Sequence, residues 1–232
     1  MDVVAPAPHW SDRWRSPAAM QATGWLFAVG SLCFLIAALA ALESQATWID
    51  GTFFAGSIFF TTAAALQLLA AASVPHARRG GWGELAHPAR WWEPHADWLA
   101  AAVQFAGTVF FNVNTFNALD DSLSAQQENL RVWVPDAVGS VCFLVASVAA
   151  VAVVQRRWVA WEPRDPDWRI GWANLAGSIA FGVAAIAAFD RPATGDLVND
   201  RLANSATAWG ALLFLVGALL LVATARRSSS SS

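Results

Sequence analysis

Apolar residues run in six long blocks along this chain, over 22–42, 52–74, 98–118, 134–154, 170–189 and 206–224, and the charged residues gather between them. Each block holds about 19–23 residues, which at the helical rise crosses a ~30 Å hydrocarbon layer. Helices of water-soluble domains are shorter, about 10–14 residues. The pattern therefore predicts an all-α polytopic membrane protein with six transmembrane helices.

Within the blocks a second pattern recurs. A small pair is followed three positions later by Phe: Gly30, Ser31 and Phe34; Gly56, Ser57 and Phe60; Gly107, Thr108 and Phe111; Gly139, Ser140 and Phe143; Gly177, Ser178 and Phe181; Gly210, Ala211 and Phe214. Glycine and the ring four residues later lie on one helix face, one turn apart. With no hydrophobic drive between helices in lipid, a small-residue notch is what lets two helices approach closely. We read the element as a helix-packing motif in which a ring of one helix grips beside the notch of the next.

The blocks group in pairs. The lead-in Trp92-Glu93-Pro94 with Asp97-Trp98 resembles Trp161-Glu162-Pro163 with Asp167-Trp168, and each precedes an odd-numbered helix. The spacing predicts three tandem hairpins at 22–74, 98–154 and 170–224. An N-terminal segment 1–21, Trp-rich linkers 75–97 and 155–169 and a tail 225–232 complete the chain. Pro94 and Pro163 are expected to interrupt any helix through the lead-ins. Asp97 and Asp167 are expected at helix N-termini, and the Trp rings suit the headgroup layer.

Charge sets the orientation. The chain has no lysine, and its arginines cluster at Arg13 and Arg15, at Arg78, Arg79 and Arg90, at Arg156, Arg157, Arg164 and Arg169, and at Arg226 and Arg227. The intervening connections are poorer in arginine, so the positive-inside bias predicts both termini in the cytoplasm. A composition that is 56% hydrophobic agrees with membrane residence. Abundant Ala and Arg without Lys suggest a GC-rich bacterial genome, so the expected residence is the bacterial cytoplasmic membrane. The first block is too long for a signal-peptide core. Net charge is −3, which brings no nucleic-acid signal. The five terminal serines are read as a tail without fold content.

Candidate chemistry is sparse. No ionisable residue falls near the middle of a block, and Asp50, Asp120, Asp136 and Asp190 sit at predicted helix ends. The third helix carries a polar stripe of Gln104, Thr108, Asn112, Asn114, Thr115 and Asn117, with Gln67, Asn174, Asn204 and Thr207 scattered elsewhere. Such groups serve either interhelical hydrogen bonds or the wall of a wet vestibule. His9, His76, His87 and His95 lie outside the blocks without ligand spacing. Cys33 and Cys142 read as small apolar residues. No catalytic residue, metal or cofactor is expected.

The paired Gly-Ser-x-x-Phe elements resemble the YrhK-like family of small bacterial membrane proteins. Pro135-Asp136-Ala-Val-Gly139-Ser140-Val-Cys-Phe143-Leu144 is similar to its second-helix signature, and Gly30-Ser31-Leu-Cys-Phe34 to its first. The third hairpin departs from it at Gly210-Ala211. The resemblance implies the two-helix unit and brings no activity. The expected role is non-enzymatic: a scaffold, a lipid-interacting protein or an accessory subunit, whose partners are membrane lipids, a second copy or another membrane protein. The alternative is a channel or facilitator passing a small neutral solute along the third-helix stripe.

Overall fold

A computed structural model describes residues 10–73, 88–154, 161–191 and 196–230. The fold is all-α. A 3-10 turn, Trp10–Arg15, leads into α1 (Pro17–Ala41). The chain continues through α2 (Trp48–Ala72), α3 (Pro88–Asn117), the short α4 (Ala125–Glu128), α5 (Val134–Val154), α6 (Pro166–Ala187) and α7 (Asp200–Ser230). Six of these segments are long and apolar enough to span a membrane, the fourth running from Ala125 to Ala152.

The odd members of the hairpins start alike. Pro17, Pro88 and Pro166 open α1, α3 and α6, where a fixed φ suits the first turn and the missing N–H costs nothing. Ser16 Oγ accepts from Ala19 N at 3.2 Å, and Asp165 Oδ1 accepts from Asp167 N at 2.9 Å. The cap of α6 is thus Asp165, with Asp167 in the first turn behind it.

Several expectations on the boundaries need correction. α3 begins ten residues before position 98 and passes through Pro94, whose nitrogen cannot give the helical hydrogen bond. Asp97 therefore lies within the helix rather than at its start. The connection before α5 is helical: α4 carries a Ser124–Gln127 capping box and passes through a π turn, Asn129–Trp133. α7 extends through Ser230, and Gln21 Nε2 donates to Ser229 Oγ at 3.3 Å, so serines read as a tail are partly helical. Arg78, Arg79, Arg156 and Arg157 and the side chain of Trp92 lie outside the described residues.

The helices close a ring in chain order. α1 packs on α2, α2 on α3, α3 on α5, α5 on α6, α6 on α7, and α7 returns to α1. The three short connections lie on one face, and both described ends lie on the other. The outer surface is apolar, with Leu32, Ile36, Ile58, Val141, Val145, Ile179 and Ile186 exposed. The helix–helix seams are filled by small residues, with Ala37, Ala38, Ala63, Ala64 and Ala211 fully buried. Apolar outside and small inside is the pattern of a bundle dissolved in lipid.

Each Gly-x-x-x-Phe element engages its partner across the hairpin. A Cβ built on Gly139 would lie 3.1 Å from the Gly107 carbonyl oxygen and 3.2 Å from the Phe111 ring. Gly177 meets the Gly210 carbonyl at 3.1 Å and Phe214 at 3.2 Å, while Gly30 meets the Phe60 ring and Gly56 that of Phe34. At Ser57, Ser140 and Ser178 the adjacent serine turns instead to the neighbouring hairpin. Ser178 Oγ lies 2.8 Å from Ser147 Oγ and donates to the Phe143 carbonyl at 3.2 Å. On the α1–α7 seam the residue in register with Ser147 is Ala218, and the buried Ser31 Oγ finds no partner.

The six motif phenylalanines meet on the axis of the ring. Phe34, Phe111 and Phe181 form one triangle, with centroids 5.8–6.3 Å apart. Phe60, Phe143 and Phe214 form another at 5.7–6.4 Å. The two layers are joined within each hairpin, Phe34 to Phe60 at 5.6 Å, Phe111 to Phe143 at 5.2 Å and Phe181 to Phe214 at 5.4 Å. The nine contacts are the edges of a trigonal prism. Most are edge-to-face, the arrangement that ring quadrupoles favour. A void of only about 10 Å³ remains between the layers.

Candidate functional site: an acidic vestibule

On the side of the short connections the ring of helices opens into a cavity of about 660 Å³. The rings of Phe34, Phe111 and Phe181 line its inner end. Counting back from the glycine of each returning helix, positions three and six residues earlier all line the cavity: Phe53 and Asp50, Asp136 and Trp133, Thr207 and Asn204. Ala41, Ala118 and Ala188, eleven residues after the glycines of the outgoing helices, line it too. The register that builds the aromatic prism therefore also builds the wall above it.

The wall is strongly acidic. Asp50, Asp121, Glu128, Asp136, Asp190 and Asp200 line the cavity, and no arginine or histidine is among the described lining residues. Asp136 Oδ1 accepts from Asn114 Nδ2 at 2.8 Å, and Asp200 Oδ1 from Asn204 Nδ2 at 2.7 Å. Asp190 is nine-tenths buried, and burial pushes its carboxyl above the ordinary carboxylate range. Its backbone is held from both sides by one side chain. Asn129 Nδ2 donates to the Asp190 carbonyl at 2.7 Å, and Asn129 Oδ1 accepts from its N–H at 3.0 Å.

The π turn sets that clamp. It adds a residue per turn where helices often bear functional groups. Here it points Asn129 to the α6–α7 connection and lets Trp133 Nε1 donate to the Ala185 carbonyl at 2.7 Å. The Trp133 ring also meets Phe189 edge-on at 5.0 Å. The cavity mouth is thereby tied together across two hairpins.

The third-helix stripe divides between two roles. Thr115 Oγ1 donates to Ser57 Oγ at 2.9 Å, Ser57 Oγ to Asn112 Oδ1 at 2.6 Å, Asn112 Nδ2 to Thr61 Oγ1, and Thr61 Oγ1 to the Thr108 carbonyl at 3.2 Å. This relay stitches α2 to α3, and Gln104 Nε2 extends it to Gln67 at 3.4 Å. Asn114 and Thr115 line the cavity, while Asn117 Nδ2 donates to the Arg131 carbonyl at 2.8 Å. Asn112→Leu should break the relay while Ser57 Oγ keeps the Phe54 carbonyl and Thr61 Oγ1 the Thr108 carbonyl, at about 0.5–1.5 kcal/mol. A lowered unfolding midpoint in detergent, with normal expression, is the expected result.

Sequence reasoning placed Asp50, Asp136 and Asp190 at helix ends but did not bring them together; the offset from the Gly-Ser-x-x-Phe register is the signal that does. Cys33 and Cys142 are both free and half-buried. Among the described residues no three His, Cys, Asp or Glu side chains gather closely enough to hold a metal ion. Comparison with known proteins returns no relative: no family model, curated protein or solved structure matches the chain.

Proposed function

We propose that this is a non-enzymatic protein of the bacterial cytoplasmic membrane that receives a small solute in its vestibule and, in the conformation described, blocks its passage with the aromatic prism. The observation that carries the reading is the cavity of about 660 Å³ ending on Phe34, Phe111 and Phe181. Pockets that take small molecules typically span about 300–1,000 Å³. The arginine bias supports both termini in the cytoplasm, and the vestibule then faces outward. The alike engagement of the three hairpins supports a tandem repeat of one two-helix unit, as the resemblance to YrhK-like proteins implies. A purely structural scaffold has no use for a polar, charged chamber within its bundle, because unpaired polar surface there costs stability.

Labelling tests the reading. With Cys33 and Cys142 replaced by Ala, Thr207→Cys should react with a membrane-impermeant maleimide added to intact spheroplasts, since Thr207 lines the cavity. Ala211→Cys, at a fully buried seam, should stay unlabelled. Thr207→Cys that reacts only after the membrane is opened would reverse the orientation, and no reaction at all would remove the vestibule.

A further inference from the structure

We infer that the vestibule binds an extended organic polycation, of the linear polyamine kind; the inference rests on the proposed solute-binding reading. Charge selects the class. Six carboxylates surround the cavity without a basic side chain among the described lining residues, so an occupant must bring the positive charge. Their mutual repulsion, stronger where the surroundings are less polar, is relieved by a bound cation as it is by a proton.

Asp190 is the anchor. The residue is nine-tenths buried and lines the cavity, and among the described residues its hydrogen bonds are those of its backbone to Asn129. The carboxylate is thus fixed by the main chain and has no partner of its own among the described residues. A largely buried carboxylate that no described side chain pairs is costly to hold charged, which is the arrangement expected where a ligand supplies the partner.

Shape narrows the class further. The acids are not grouped closely enough to share a metal ion among the described residues. They are distributed around a chamber with room for a drug-sized molecule. A linear polyamine separates its ammonium groups by methylene stretches, so several acids can each meet one charge. The methylenes then lie on Phe53, Ile49 and Leu197, and an ammonium reaching the bottom meets the Phe34, Phe111 and Phe181 rings, to which cations are attracted.

Calorimetric titration of the purified protein in detergent, with spermidine and separately with triethylene glycol, tests this. Spermidine should bind, its affinity should fall as salt is raised, and Asp190→Asn and Asp50→Asn should each weaken it at least tenfold. Asp190→Asn removes no hydrogen bond, so it should fold as the parent does, which its unfolding midpoint reports. No binding of spermidine, or binding unchanged in both variants, overturns the inference. Triethylene glycol binding without spermidine binding overturns it while leaving the vestibule intact. An unlabelled Thr207→Cys, by contrast, takes the underlying reading with it.

Discussion

Gly177→Leu is expected to leave no folded, monodisperse protein in detergent, whereas Gly182→Leu, five residues along the same helix, should be tolerated. The two glycines differ only in what faces them. A Cβ on Gly177 would lie 3.1 Å from the Gly210 carbonyl oxygen and 3.2 Å from the Phe214 ring, while nothing stands within 4 Å of one on Gly182. Backbone cannot step aside as a flexible side chain can, so a leucine at Gly177 must drive α6 and α7 apart. Overpacking by even a few methylenes typically costs about 1–3 kcal/mol in a core that can adjust. Here separation would also pull Phe181 and Phe214 out of the prism, because each ring sits beside the opposing glycine. Gly177→Ala should fall between the two, and Gly139→Leu should match Gly177→Leu through its 3.1 Å approach to the Gly107 carbonyl. At Gly182, replacing glycine within a helix removes a propensity penalty of about 1 kcal/mol. Size-exclusion profiles and unfolding midpoints read all four variants; a normal profile for Gly177→Leu would sink the packing account.

Much of this fold could be read from the chain because membrane helices announce themselves by length and the packing element recurs in register. Phe34 and Phe60 were legible as grips on a neighbouring helix, since a ring four residues from a glycine must share its face. That all six rings converge on one axis was not, because a local motif carries no information about how hairpins are arranged in the plane. The acidic chamber was hidden for a related reason. Asp50, Asp136 and Asp190 each look like an ordinary helix-end carboxylate, and only the closure of α7 onto α1 sets them around a common space. The third-helix stripe was ambiguous because an amide facing a neighbour and an amide facing water occupy the same helical positions. Ser57 and Thr61 on α2 decide between them for Asn112. The helix through Pro94 and the helical connection before α5 were missed where breaker residues outvoted propensity; a Ser124–Gln127 capping box was present in the sequence to signal the second.

The aromatic prism should dominate stability. Phe34 touches the rings of Phe53, Phe60, Phe111 and Phe181, so Phe34→Ala deletes four ring contacts and opens a hole that the seams of small, already close-packed residues cannot fill. Removing a core phenylalanine typically costs about 3–5 kcal/mol, which for a chain of this size corresponds to roughly 10 °C in the unfolding midpoint. Phe110→Ala, on the lipid-facing side of α3, should cost far less, because lipid tails replace the lost contacts. Permeability separates the two layers. Phe34→Ala joins the vestibule to the small void above Phe60, Phe143 and Phe214, yet that second triangle still closes the axis. Vesicles bearing the single variant should therefore stay as tight to spermidine as those bearing the parent, despite the lost stability. Leak through Phe34→Ala alone would mean that the Phe34 layer is the sole barrier and that the Phe60 layer yields with it.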